Sequence, residues 1–242
     1  MTEDPELTAR ISGSYLRIVH RIGEACARGG RSPGDVTLVG ASKTQPAAVL
    51  AAAWRAGLRV FGENRVQEAV AKSRELPAPP FDIEWHLIGP LQSNKVKPAL
   101  DVFRAVHSVD RVRIAEALDQ EAGRRGRELP GFLEINLGQE ESKHGFSPQS
   151  PKALAEAVRP LADLPHLKIV GLMAIPPAAD DPEGSRPWFR RLRELRDELG
   201  SRPEWSGFPG WLSMGMSHDF EVAVEEGATH VRVGTLLFGS RG

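Results

Sequence analysis

Strand-like and helix-like runs alternate along almost the whole chain, and that alternation leaves few folds open. Short apolar and β-branched runs recur at 36–41, 59–61, 83–88, 102–106, 131–137, 168–173, 210–212 and 230–233. Helix-like segments lie between them at 47–56, 65–74, 94–100, 111–126, 151–161, 188–200 and 219–226. Strand, helix and next strand in that order imply parallel pairing, because the crossover returns the chain to the starting edge of the sheet. Eight such strands fit a closed (β/α)8 barrel better than an open sheet. An amphipathic segment over 7–27 precedes the first strand, and only a short tail follows the last. The leading helix is therefore expected to cover the gap that an eighth helix would otherwise fill. No low-complexity linker divides the chain, and the Pro-rich stretches at 77–80 and 175–182 are short enough to be loops. A single domain over 1–242 is expected, with 1–35 as helix and lead-in and 36–242 as the barrel.

Composition removes several function classes. With 242 residues, 40% of them hydrophobic, the chain can bury one sizeable core. Its 31 basic and 32 acidic residues give a net charge of −1, so no global field draws it to nucleic acid or an anionic membrane. The arginine-rich stretch 186–196 is interrupted by Glu194 and reads as a solvated helix face. One cysteine, Cys26, excludes an internal disulfide and a cysteine metal cluster, and its alanine neighbours mark a packed helical thiol. The seven histidines show no H-x-x-x-H spacing, so no metal site is expected, although His86 and His107 fall near the expected strand ends. Residues 1–6 are acidic and lack the basic and apolar segments of a secretion signal, and the alanine-rich 47–53 is too short to span a bilayer. The expected setting is the cytoplasm.

Chemistry is expected where the strands end, since the carboxyl ends of barrel strands carry the functional groups. Lys43 closes the first run, Val39-Gly40-Ala41-Ser42-Lys43. A desolvated lysine there is a natural Schiff-base former; the plain alternative is a solvated loop lysine. Ser217 precedes a helix-like run, and Gly234-Thr235 form a small-residue turn after the last strand. Together they suggest an anion cradle of hydroxyl and backbone N–H groups, whereas each alone could be an ordinary cap or turn. Arg232 lies between Val231 and Val233 and points away from their face. A buried arginine needs a partner, so it is either half of an ion pair or a ligand contact. Asn64 and Asn136 could cap loops or touch a ligand. No G-x-G-x-x-G follows the first strand, and Ser42 stands where a P-loop before Lys43-Thr44 requires glycine.

Five runs carry a resemblance. Gly40-Ala41-Ser42-Lys43-Thr44, Phe61-Gly62-Glu63-Asn64, the stretch from His86 through Gly89-Pro90-Leu91-Gln92-Ser93-Asn94-Lys95, Leu212-Ser213-Met214-Gly215-Met216-Ser217 and Val231-Arg232-Val233-Gly234 occur in this order. In them the chain resembles the pyridoxal phosphate homeostasis proteins, single-domain relatives of the alanine racemase barrel. The resemblance covers about 36–241. It implies a fold-type III barrel that binds pyridoxal 5′-phosphate (PLP), with Lys43 holding it as a Schiff base. It further implies that Ser217, Gly234 and Thr235 hold the phosphate, that Arg232 faces the pyridine nitrogen and that Asn64 lies near the ring. Met214, Ser213 and Asn136 would line the same mouth without an assigned role.

The implied function is intracellular PLP homeostasis, a carrier or regulator rather than an enzyme. Arginine has donors only, so the ring nitrogen opposite it stays unprotonated and is a poor electron sink. Racemases of this type set a second base, a tyrosine from a further domain, opposite the lysine, and the one tyrosine here, Tyr15, lies in the leading helix. A weak PLP-dependent amino-acid racemase is the alternative, and a Schiff-base sugar-phosphate aldolase a third reading that leaves Arg232 without a purpose. Amino acids and apo PLP-dependent enzymes are the expected partners besides PLP. A monomer is expected, with a dimer as the alternative.

Overall fold

In the computed structural model, which describes residues 4–76, 78–140 and 143–239, eight strands close into one barrel in sequence order. They are β1 (Thr37–Ala41), β2 (Val60–Glu63), β3 (Glu84–Leu87), β4 (Ala105–Val109), β5 (Leu129–Glu134), β6 (Leu167–Met173), β7 (Trp211–Met216) and β8 (His230–Val233). Every neighbouring pair is parallel, and β8 pairs with β1 to complete the circle. The helices are α1 (Pro5–Arg28), α2 (Ala47–Arg55), α3 (Val66–Glu75), α4 (Val96–Val102), α5 (Val112–Arg124), α6 (Pro151–Val158), α7 (Arg186–Gly200), α8 (Phe220–Glu225) and the one-turn α9 (Thr235–Phe238).

Helix α1 starts at an Asp4 cap whose carboxylate accepts from the Glu6 and Leu7 N–H groups, followed by proline in the first turn. Its Ile11, Ile18, Ile22, Ala25 and Cys26 form one buried stripe, each isoleucine being worth about 1.5–3 kcal/mol. That stripe packs against α2, α8 and α9, the position expected of a replacement for a full eighth helix. Burial pushes the Cys26 thiol pKa up, as suits a packed side chain.

Two strands differ from expectation for one reason. The fourth was expected at 102–106, but Val102 ends α4, fully buried Phe103 follows it, and β4 continues through His107 and Ser108. The seventh was expected to stop at 212 but continues through Ser213 and Gly215. His107 and Ser213 are strand residues facing the barrel interior, which apolar patterning cannot register. Accordingly the main apolar core lies between sheet and helices, while Phe132, Val170 and Met173 form a separate small cluster. The rings of His86, His107 and His230 pack beside Phe132 and Trp211 inside.

The arginine-rich helix is more than a solvated face. Arg186 pairs with Glu225 at 2.6 Å and Glu226 at 3.1 Å, and Arg190 and Arg193 also reach Glu226, tying α7 to α8. Among the described residues no helix is long and apolar enough to cross a membrane, and no group of side chains could hold a metal ion.

Candidate functional site

Lys43 is presented by a turn that the sequence holds rigidly. Ser42 extends the β1 ladder by donating its N–H to Gly62 O, and the Gln45 N–H closes the turn on Ser42 O at 3.0 Å. Thr44 is left-handed at φ 65°, a conformation costing a β-branched residue roughly 1–2 kcal/mol. Side chains from β2 and α3 hold it there. Lys72 Nζ donates to Ser42 O at 2.7 Å, to Glu63 Oε1 at 2.6 Å and to Glu68 Oε1 at 2.7 Å. Glu68 also accepts the Thr44 N–H, and the Ser42 hydroxyl donates to Glu63 Oε1 at 2.6 Å. Burial outweighs these donors at Glu63 and pushes its pKa up. Lys43 itself is half-buried rather than fully desolvated, and its amine makes no hydrogen bond or ion pair among the described residues.

Beside the lysine, β7 and β8 end in two turns joined by one hydroxyl. Ser217 Oγ accepts from Gly234 N at 3.3 Å and Leu236 N at 3.5 Å. It does not cap α8, whose cap position is Asp219, so the ordinary-cap reading of Ser217 fails. A bulge aims it there: Ser213 pairs with His230 but Met216 with Arg232, so three residues on β7 match two on β8. Gly215 makes the bulge possible at φ 89°, where a Cβ would stand 2.5 Å from Ala223 Cβ and 2.9 Å from Phe220 Cα. Because β8 closes on β1, these turns adjoin Lys43.

Lys43, Ser217, Arg232, Gly234 and Thr235 line one cavity of about 290 Å³. Arg232 is 4% exposed and forms no ion pair among the described residues. It donates instead to Ser213 O and Ser213 Oγ, each at 2.7 Å, and to Ala174 O at 3.0 Å. Burial lowers its pKa to about 10, against the opposing pull of Asp219 and Glu134. Among the described residues the cavity lining contains a lysine, an arginine and His218 but no carboxylate, a charge balance suited to an anion.

The remaining expected residues are placed elsewhere. Asn64, at the end of β2, lines a second cavity of about 490 Å³ with Lys95, Arg111 and His144. Asn136 is a loop cap, its amide donating to Glu140 O at 2.8 Å and accepting from Glu140 N. Met214 does not line the mouth; it belongs to the core between sheet and helices. Ser213 faces inward and bonds Arg232. His86 lies one residue from the end of β3, as expected, whereas His107 lies at the middle of β4. The clamp residues Glu63, Glu68 and Lys72 were missed as site residues, although Glu68 and Lys72 at i, i+4 on one helix face were a readable pairing signal.

The alanine racemase N-terminal domain family matches residues 35–242. A curated relative from Aquifex aeolicus, named pyridoxal phosphate homeostasis protein, is 48% identical over 225 residues, covering 93% of this chain and 96% of its own. The chain belongs to the pyridoxal phosphate homeostasis protein family. Among solved structures, PipY of Synechococcus elongatus with PLP bound superposes with a TM-score of 0.77 at 41% identity, covering 90% of this chain and all of that one. An alanine racemase from Clostridium difficile superposes at 0.68 with 14% identity, which shows the shared barrel alone; this homeostasis-family chain spans 56% of its length.

Proposed function

We propose that the chain binds PLP in the Lys43 cavity, holds it as a lysine Schiff base and keeps it available for transfer in the cytoplasm, as a carrier or regulator rather than a catalyst. The observation that carries this reading is the cavity itself: among the described residues, a lysine without a bonded partner and a buried guanidinium share a lining free of carboxylates, beside two backbone N–H groups that converge on one oxygen. Those features fit the cofactor. A phosphate oxygen would take over the N–H groups of Gly234 and Leu236, with the Ser217 and Thr235 hydroxyls beside it. Bound there, the cofactor supplies an aldehyde carbon that condenses reversibly with amines. Lys43 provides the resident amine, held in place by the Glu63–Lys72–Glu68 clamp. Arg232, with donors only, would leave the pyridine nitrogen without a proton. Asn64 lines the second cavity rather than this one, so no ring contact is assigned to it. PLP bound to the PipY relative supports the cofactor assignment.

Catalysis is disfavoured by the position of the sole tyrosine. Tyr15 packs against Gly57 at the amino-terminal end of the barrel, away from the cavity, so it supplies no base opposite Lys43. An amine from an amino acid or an apo-enzyme lysine would compete with Lys43 for the aldehyde carbon, and Tyr15 could not be the base that removes an α-proton. Borohydride reduction of the PLP-loaded protein should fix one pyridoxyl group per chain on Lys43; a label mapping to Lys95 or Lys143 would overturn the site. In heavy water the same protein should incorporate no α-deuterium into L-alanine beyond a Lys43→Ala control. Lysine-dependent exchange at ordinary enzyme rates, about 1 s⁻¹ or faster, would restore the racemase reading.

A further inference from the structure

Inside the barrel an unbroken line of side chains runs from one end to the other. Arg232 NH1 donates to Ser213 Oγ at 2.7 Å, Ser213 Oγ meets His107 Nδ1 at 2.8 Å, His107 Nε2 meets His86 Nδ1 at 2.9 Å, and His86 Nε2 meets Glu84 Oε1 at 2.9 Å. The four residues from Arg232 to His86 are at most 4% exposed, whereas the Glu84 side chain is 53% exposed where β3 begins, at the end opposite the cavity. We propose that Ser213, His107, His86 and Glu84 form a one-way hydrogen-bond chain that positions Arg232 and connects it to a solvent-facing carboxylate at the far end of the barrel.

The direction follows from the two ends. Arginine can only donate and an ionised carboxylate can only accept. With one proton on each ring, Glu84 requires His86 to carry it on Nε2, which leaves His86 Nδ1 bare. His107 must then donate from its own Nε2, leaving its Nδ1 to accept the Ser213 hydroxyl proton. That proton is free to go there because Arg232 supplies the donor on the other side of Ser213. With one proton on each ring, only this arrangement makes every bond, so both histidines share one tautomer and all the dipoles align. Burial and the neighbouring His86, His230 and Arg232 hold the His107 pKa well below the usual histidine range, so its ring stays neutral. Glu84 is held ionised, its pKa lowered first by the His86 hydrogen bond. The other charged or titratable groups facing the chain are His230 beside both rings, Arg104 beside Glu84, and Asp219 and Glu134 beside Arg232.

The chain supplies what Arg232 otherwise lacks. A buried guanidinium without an ion pair among the described residues is instead polarised toward a carboxylate through three intervening side chains. Its plane is fixed from behind, leaving its cavity-facing edge set for whatever the cavity holds. The proposal rests on the PLP reading only for the identity of that occupant. Ser213, His107, His86 and Glu84 act through Arg232 and are positioning residues.

Nitrogen-15 NMR of histidine-labelled protein, without and with PLP, tests it. His86 and His107 should both appear as neutral rings protonated on Nε2 at neutral pH. Glu84→Ala, a change on the surface far from the cavity, should shift the His107 ring nitrogens toward mixed-tautomer values and move the visible absorption band of bound PLP. Glu84→Gln, which keeps an acceptor, should restore both signals. A proton on Nδ1 of either histidine in the native protein would overturn the chain, as would a Glu84→Ala spectrum unchanged at His107. Because the tautomers are read without cofactor, failure of PLP to bind would overturn the functional reading and leave the chain standing.

Discussion

At Ser217 one hydroxyl oxygen accepts two backbone N–H groups, the arrangement expected of a place-holder for a stronger acceptor. Ser217→Ala should therefore weaken PLP binding more than folding. A hydrogen bond to a charged group is worth about 1.5–3 kcal/mol, roughly ten- to a hundredfold in affinity. Gly234→Val should weaken it as well, since even the first added carbon would sit 3.2 Å from Ala41 O, on the wall shared with the lysine strand. Titration of each variant with PLP, followed by visible absorbance, checks both; unchanged affinity in both would place the phosphate elsewhere. At this scale the sequence was readable where a residue type is rare in its setting. Lys43 at a strand end and Arg232 between valines stood out, because a cation in an apolar run asks for a reason. The reach of Ser217 across to β8 did not, because it depends on a bulge whose only local sign is Gly215.

The elements β1, β2 and α3 meet through Lys72, which is buried and bridges two carboxylates while holding the Lys43 turn. Lys72→Met should cost about 3–5 kcal/mol, because fully buried Glu63 would lose its cation. The pH dependence has a definite sign. Glu63 has a folded pKa above its unfolded one, so its contribution favours folding at low pH and is lost as pH rises through the folded value. The variant should therefore recover part of its deficit on acidification, as read by urea unfolding at stepped pH; a deficit independent of pH would assign the loss to packing instead. Element order was legible in hydrophobic runs, and all eight strands lie at or near their expected places. Strand ends were less so where the barrel interior is polar: the extension of β4 through His107-Ser108 and of β7 through Ser213 imitates loop sequence, as patterning sees burial but not which side of a sheet is wet.

Across the whole molecule, buried neutral histidines set the response to acid. Burial holds His230 down to about 3 and His107 well below the ordinary range. Both are depressed relative to the unfolded chain, so their contribution is complete above about pH 6.5 and is lost progressively as pH falls toward the folded values, at up to 1.4 kcal/mol per pH unit for each. Glu134, raised by burial to about 6, acts oppositely: its contribution is present below about pH 4.5 and lost as pH rises through 6. The histidines should prevail, so stability should fall between pH 6.5 and 5, and His230→Phe should flatten that fall when free energies of unfolding are compared at each pH. An equal slope in wild type and variant would remove His230 from the account. A different consequence follows from α1. On the ribosome this helix is made before any strand of the barrel, yet two of the surfaces that cover its isoleucine stripe, α8 and α9, are made only after β7. Until α8 and α9 emerge, α2 can shelter only one side of the stripe, so the nascent protein carries an oily flank, and any chain stalled before α8 keeps that flank exposed.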